Sequence, residues 1–179
     1  MNLKEETLTR EYRFNGRIIN LRTDRVRLPN GAEAGREVVE HPGGVCVAPL
    51  TDDHELLFVR QYRYPYEEVV LELPAGKRDK NGEEPLECGK RELQEETGAV
   101  AAEYISLGEV YPSPGYCDEI IYLYLANGLD FGEARPDEDE FVEVERIPLE
   151  RAVEMVMSGE IVDAKTQIAV LKTARLLGK

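Results

Sequence analysis

The sequence predicts an α/β protein, a mixed β-sheet sandwiched by helices and preceded by an antiparallel β region. Three observations predict it: short strand patterns fill the first part of the chain, strands recur on both sides of one acidic helix, and two further helices close the sequence. In order, residues 22–28 and 34–40 flank Pro29-Asn30-Gly31, a hairpin signal. Residues 45–50 and 55–62 flank Thr51-Asp52-Asp53-His54 and read as a second hairpin. Residues 69–73 form a strand stopped by Pro74. A helix follows over 85–97, then strands over 103–111 and 119–126 separated by Pro112-Ser113-Pro114-Gly115, and another over 141–146. Helices cover 149–157 and 163–177, the latter carrying Ile168, Leu171, Ala174 and Leu177 at helical spacing. The domain reading is an N-terminal β-hairpin region over 1–42 and a main domain over 43–179.

Composition narrows the function class. At 179 residues the chain is long enough to bury a substantial core, and 42% hydrophobic against 32% charged residues argues against disorder. A formal net charge of -14 repels nucleic acid and anionic membranes, so neither is an expected partner. Cys46, Cys88 and Cys117 are odd in number and far apart, which disfavours a disulfide framework or a zinc site and favours a reducing cytoplasm. The polar first dozen or so residues and the lack of a long apolar run disfavour secretion and membrane insertion. The only histidines, His41 beside Pro42-Gly43-Gly44 and His54 after Asp52-Asp53, read as loop residues, which leaves little material for a histidine-based triad.

Residues 85–97 carry the chemistry. Pro85 suits a first helical position and Gly98 suits the left-handed residue that closes a helix. At roughly 100° per residue, Glu95 lies about 60° to one side of Glu92 and Glu96 about 40° to the other, so three carboxylates fan over one face. Leu86 and Leu93 form an adjacent stripe that packs inward, and Glu87 is spaced to pair with Arg91. Like charges so placed repel unless a cation lies between them, and hard oxygen ligands favour magnesium, manganese or calcium over zinc. Taken alone, the run also reads as a solvated acidic face.

The ordered context decides between these readings. Gly76, Glu83 and then Arg91-Glu92-Leu93-Gln94-Glu95-Glu96-Thr97-Gly98-Ala99 resemble the signature of the Nudix hydrolases: Gly, five residues, Glu, seven residues, Arg-Glu-aliphatic-x-Glu-Glu-x-Gly-aliphatic. The chain departs from it twice, with six residues between Gly76 and Glu83 and with the small Ala99 at the last position. An extra residue beside Asn81-Gly82 is absorbed by a turn without rotating the helix. Within the family the chain is most similar to the ADP-ribose pyrophosphatases. That similarity runs through Phe58-Val59-Arg60-Gln61-Tyr62-Arg63, Glu72-Leu73-Pro74-Ala75-Gly76, Ser113-Pro114-Gly115-Tyr116, Asp137-Glu138-Asp139-Glu140 and Asp163-Ala164-Lys165-Thr166.

The resemblance implies a Nudix-type α/β/α sandwich whose N-terminal strands pair with a second subunit, giving a homodimer with a shared cleft. It also implies Mg2+ as cofactor, with Mn2+ as a substitute, held by Glu92, Glu96, the carbonyl of Ala75, and Glu95 as ligand or supporting partner. Gly76 admits the close backbone approach, and Glu83 orients Arg91. A glutamate of the 137–140 run activates the water, Glu138 being the first choice and Glu140 the second. Arg63 meets the diphosphate, and Arg36 reaches a phosphate or ribose, although a surface ion pair is an equal reading for Arg36 beside Glu37 and Glu40. Tyr116 is a substrate contact, and Tyr62, Tyr64 and Tyr66 either stack on adenine or pack in the sheet. The expected reaction is hydrolysis of ADP-ribose to AMP and ribose 5-phosphate. The alternatives are the same chemistry on another nucleoside diphosphate sugar or a dinucleoside polyphosphate, and a non-catalytic nucleotide-binding regulator.

Overall fold

The computed structural model describes residues 2–78, 83–135 and 141–179. These divide into two compact units, one of Met1–Gly43 with Tyr111–Ile120, the other of Gly44–Val110 with Ile121–Lys179.

The smaller unit is a three-stranded antiparallel sheet of β1 (Glu6–Asn15), β2 (Asn20–Arg27) and β3 (Glu33–Glu40), in that spatial order. The β2–β3 hairpin turns through Pro29-Asn30-Gly31 as the sequence predicts, with Gly31 at φ 87° donating its N–H to the Leu28 carbonyl. Strand β1 is an addition to the sequence reading. It is exposed along nearly its whole length, so it carries no inside-outside alternation to read. The strap Tyr111–Ile120 joins this unit through Val39, whose N–H donates to the Tyr116 carbonyl at 2.7 Å and whose carbonyl accepts from Asp118 at 3.1 Å.

The larger unit holds two sheets. One is mixed, in the order β7 (Ala75–Lys77), β4 (Gly44–Pro49), β9 (Ile121–Phe131) and β8 (Ala99–Val110), with β4 and β9 parallel. The other is antiparallel, in the order β10 (Val142–Pro148), β5 (Glu55–Arg63) and β6 (Glu68–Glu72). Strand β4 is buried throughout and alternates between two cores. Val45 and Val47 pack with Cys88 and Leu93 of α1 (Pro85–Thr97), while Cys46 and Ala48 pack with residues of α2 (Leu149–Ser158) and α3 (Ala164–Leu176). Helices therefore cover both faces of the sheet, the expected sandwich. Among the described residues, no helix is long and apolar enough to cross a membrane.

One expected pairing is corrected. The strands predicted to make a second hairpin exist as β4 and β5, but they belong to different sheets, and among the described residues one bridge, from Leu50 just past β4 to Leu56 of β5, links them. The turn at Thr51–His54 reverses the chain, with the His54 N–H on the Thr51 carbonyl at 3.0 Å, yet it passes from one sheet to the other. Strands buried on both faces present no polar side to fix which neighbour they take, so distant segments decide it.

Candidate active site

Helix α1 begins and ends at the residues the sequence marks. Pro85 opens it, and Gly98 closes it at φ 70° with its N–H on the Gln94 carbonyl. A side chain at Gly98 would strike the Gly132 carbonyl, so this corner requires glycine for space as well as for conformation. The buried face of the helix is Cys88, Gly89, Glu92, Leu93 and Glu96. Two of the three fanned carboxylates are thus turned inward rather than into solvent: Glu92 is 6% and Glu96 2% exposed. That burial sets aside the solvated-face reading, because a carboxylate is withdrawn from water only against compensating partners.

The partners are visible. Glu96 Oε2 accepts the Ala75 N–H at 3.1 Å, and the Gly76 backbone lies so close to the Glu92 carboxylate that a Cβ on Gly76 would fall within it. Arg91 lies against the fan, with one guanidinium nitrogen 2.8 Å from both Glu92 Oε1 and Glu95 Oε2, and its Nε 3.2 Å from Glu83 Oε1. Burial opposes the charged guanidinium, but the hydrogen bond with Glu83 and the charge of Glu92 outweigh it and hold Arg91 above its ordinary pKa. The expected Glu87–Arg91 pair is replaced: Glu87 takes Lys90 at 2.7 Å, which leaves Arg91 for the three carboxylates. Burial, followed by the charges of Glu92 and Glu83, pushes the neighbouring Cys88 thiol up to about 12, which keeps it an inert core group.

Among the described residues, no three metal-ligating side chains already converge on one point. The pairing explains it: Glu92 and Glu95 both face the Arg91 guanidinium and Glu96 faces the Ala75 amide. A guanidinium therefore supplies the positive charge between two of these carboxylates. The donor set fits a hard dication, since Glu92, Glu96 and the Ala75–Gly76 backbone already adjoin one another, and Arg91 retains Glu83 if it yields its other partners.

A second charged cluster supports the same loop, and of its members only Arg63 has a role implied by the sequence. Glu72, 2% exposed at the end of β6, is held by Arg63 at 2.5 and 2.7 Å and by Lys165, which also meets Asp163 at 3.0 Å. Burial alone would raise the Glu72 carboxyl, but the Arg63 hydrogen bond and the Lys165 charge prevail and hold it below its ordinary 4.5. A lowered pKa means that this stabilisation is complete above the ordinary value and is lost as pH falls through the depressed one. Glu72→Ala is expected to cost about 3 kcal/mol at neutral pH, because it leaves Lys165 buried with only Asp163, and to flatten the loss of stability below about 4.5. Urea titrations across pH check both. The signal for Glu72 was present as a lone carboxylate ending the apolar run Val69-Val70-Leu71.

The remaining candidates are distributed as follows. Arg63 is engaged with Glu72, with Glu96 close enough to add to its field. Arg36 and Tyr116 come together in the smaller unit, on a cleft of about 700 Å³ also lined by Arg13, Asp24 and Arg25. There Arg36 is paired with Glu5, its Nε 3.0 Å from Oε2. Tyr62, Tyr64 and Tyr66 are exposed rather than packed. Glu138 and Glu140 lie outside the described residues.

The NUDIX domain profile matches residues 40–166, over two thirds of the chain. The chain belongs to the Nudix family. Residues 5–39 match a nucleoside diphosphate sugar hydrolase N-terminal domain. Among Nudix relatives it is 44% identical to the ADP-ribose pyrophosphatase of Bacillus subtilis (strain 168), covering 94% of this chain and 92% of that one. It is equally 44% identical to the methanol dehydrogenase activator of Bacillus methanolicus, covering 93% and 91%. A crystal structure of an ADP compounds hydrolase superposes with a TM-score of 0.87 over 99% of this chain and 97% of that one, at 23% identity, and shows the Nudix fold. Nudix enzymes generally use divalent metal ions, in keeping with the hard oxygen donors of α1.

Proposed function

We infer that the chain hydrolyses the diphosphate of ADP-ribose, releasing AMP and ribose 5-phosphate, with Mg2+ as its metal and Mn2+ as a substitute. The observation that carries this is the buried Glu92 and Glu96 pair against the Ala75–Gly76 backbone, in a Nudix chain similar over nearly its whole length to an ADP-ribose pyrophosphatase. A bound dication supplies charge neutralisation of the diphosphate and an acidified water. Glu92, Glu96 and the Ala75 carbonyl would hold it, with Glu95 beside them. Arg91, moored on Glu83, would give up Glu92 to the cation.

Glu138, or failing it Glu140, removes the proton from the attacking water. Support comes from the adjoining chain, since the Arg135 N–H donates to the Glu95 carbonyl at 2.9 Å, which sets Arg135 itself against α1. Arg63, Arg36 and Tyr116 contact the nucleotide sugar. Residues 1–42 serve dimerisation and substrate contact, 43–179 carry the chemistry, and the protein works in the cytoplasm. A homodimer at micromolar concentration is the expected result of sedimentation, and a monomer contradicts the shared cleft.

The deciding experiment is a hydrolysis panel of ADP-ribose, other nucleotide sugars and dinucleoside polyphosphates with magnesium, products identified. AMP and ribose 5-phosphate as the fastest-formed products support the reading, and another favoured substrate replaces it. Binding without turnover makes the chain a regulator. Glu138→Gln or Glu140→Gln is expected to slow kcat on the order of 10²- to 10⁴-fold with little change in KM, and undiminished turnover in both removes that run from the mechanism.

A further inference from the structure

The link from β6 to β7 is anchored at three backbone points, and one anchor comes from the far end of the chain. Between Glu72 and Ala75, the Pro74 carbonyl accepts the Val47 N–H at 2.8 Å and the Ala75 N–H donates to Glu96 at 3.1 Å. The Leu73 N–H donates to Thr166 Oγ1 at 2.9 Å. Leu73 and Thr166 are both fully buried, so water cannot replace that hydroxyl. Thr166 is itself fixed in the first turn of α3, where Asp163 accepts its N–H at 3.0 Å and Lys165 reaches back to Glu72.

We propose that Thr166 is a positioning residue for the metal, holding the Leu73-Pro74-Ala75 backbone so that the Ala75 carbonyl is aimed at the cation. The proposal rests on the metal assignment above and extends it to a residue that touches neither metal nor substrate. Physically, Leu73 and Ala75 flank a proline with a fixed φ and no N–H. Rotation forced by an unpaired Leu73 amide therefore passes directly into the Ala75 peptide. Partners that orient a ligand in this way change metal affinity about 10- to 100-fold when removed.

Helix α3 supplies its own control. Thr173 is also fully buried, and among the described residues its Oγ1 has no hydrogen-bond partner. The test is titration of the substrate-free protein with Mn2+, followed by electron paramagnetic resonance, for the parent, Thr166→Val, Thr166→Ser and Thr173→Val. Thr166→Val is expected to weaken manganese binding about tenfold, Thr166→Ser to restore it to within about twofold, and Thr173→Val to leave it unchanged. Excess metal should recover most of the kcat lost in Thr166→Val. Parent-like binding in Thr166→Val, or an equal loss in Thr173→Val, overturns the proposal. If Thr166→Val is not recovered folded, Thr166→Ala, which also takes the hydroxyl from the Leu73 N–H, takes its place with the same expected weakening, and unchanged binding there overturns it equally. A parent that binds manganese but leaves ADP-ribose intact removes only the substrate reading, and the four titrations still decide the role of Thr166. A parent that binds no manganese removes both.

Discussion

Glu96→Gln is expected to lower magnesium-dependent kcat for ADP-ribose on the order of 10³-fold, equivalent to about 4 kcal/mol of transition-state stabilisation. The substitution separates charge from structure. The amide oxygen of Gln keeps the hydrogen bond from the Ala75 N–H, and the side chain keeps its volume in a site only 2% exposed. What disappears is the formal charge that a dication needs. Thermal melting without metal should therefore match the parent, while the stabilisation added by saturating Mg2+ shrinks. Near-parental turnover makes Glu96 a structural acceptor for the loop and removes it from the ligand set.

Gly76→Ala is the second large effect and tests the opposite partner. A methyl group at Gly76 would overlap the Glu92 carboxylate, so either the carboxylate swings away or β7 withdraws from α1. Both outcomes misplace a ligand by about 1 Å, a displacement that costs on the order of 10² in rate. Because the obstructed atoms end a flexible side chain, the fold should tolerate the change better than the chemistry does. Unaltered metal affinity and kcat in a folded Gly76→Ala protein would mean that the close approach seen here has no part in binding the ion.

The sequence displayed α1 because its limits are local. Proline and glycine act on their own neighbours, and helical spacing alone brings Glu92, Glu95 and Glu96 to one side. Strand positions were legible apart from β1 and the short β7, but partner choice was not: β4 and β5 carry turn residues between them and still join separate sheets. Strand β1 escaped because exposure on both faces erases the alternation that reveals a strand. Of the partners of Arg91, the resemblance named Glu83 and helical spacing misplaced Glu87. Spacing along a helix favours Glu87, whereas the fold carries Glu83 within reach at 3.2 Å and leaves Glu87 to Lys90. Glu72, Lys165 and Thr166 were quoted as parts of motifs, but 93 residues separate Glu72 from Lys165 and Leu73 from Thr166, and only a folded chain brings them together.

The strap Tyr111–Ile120 gives the two units an unusual kind of inheritance. Its ends continue into β8 and β9 of one unit while its backbone is stitched to Val39 of the other, so the chain passes between them at three places rather than one. Grafting a foreign first 43 residues onto this chain would bring in three strands but leave a native suture seeking an edge that is gone. The pieces have to drift together through evolution, and swapping them wholesale would need three coordinated breaks.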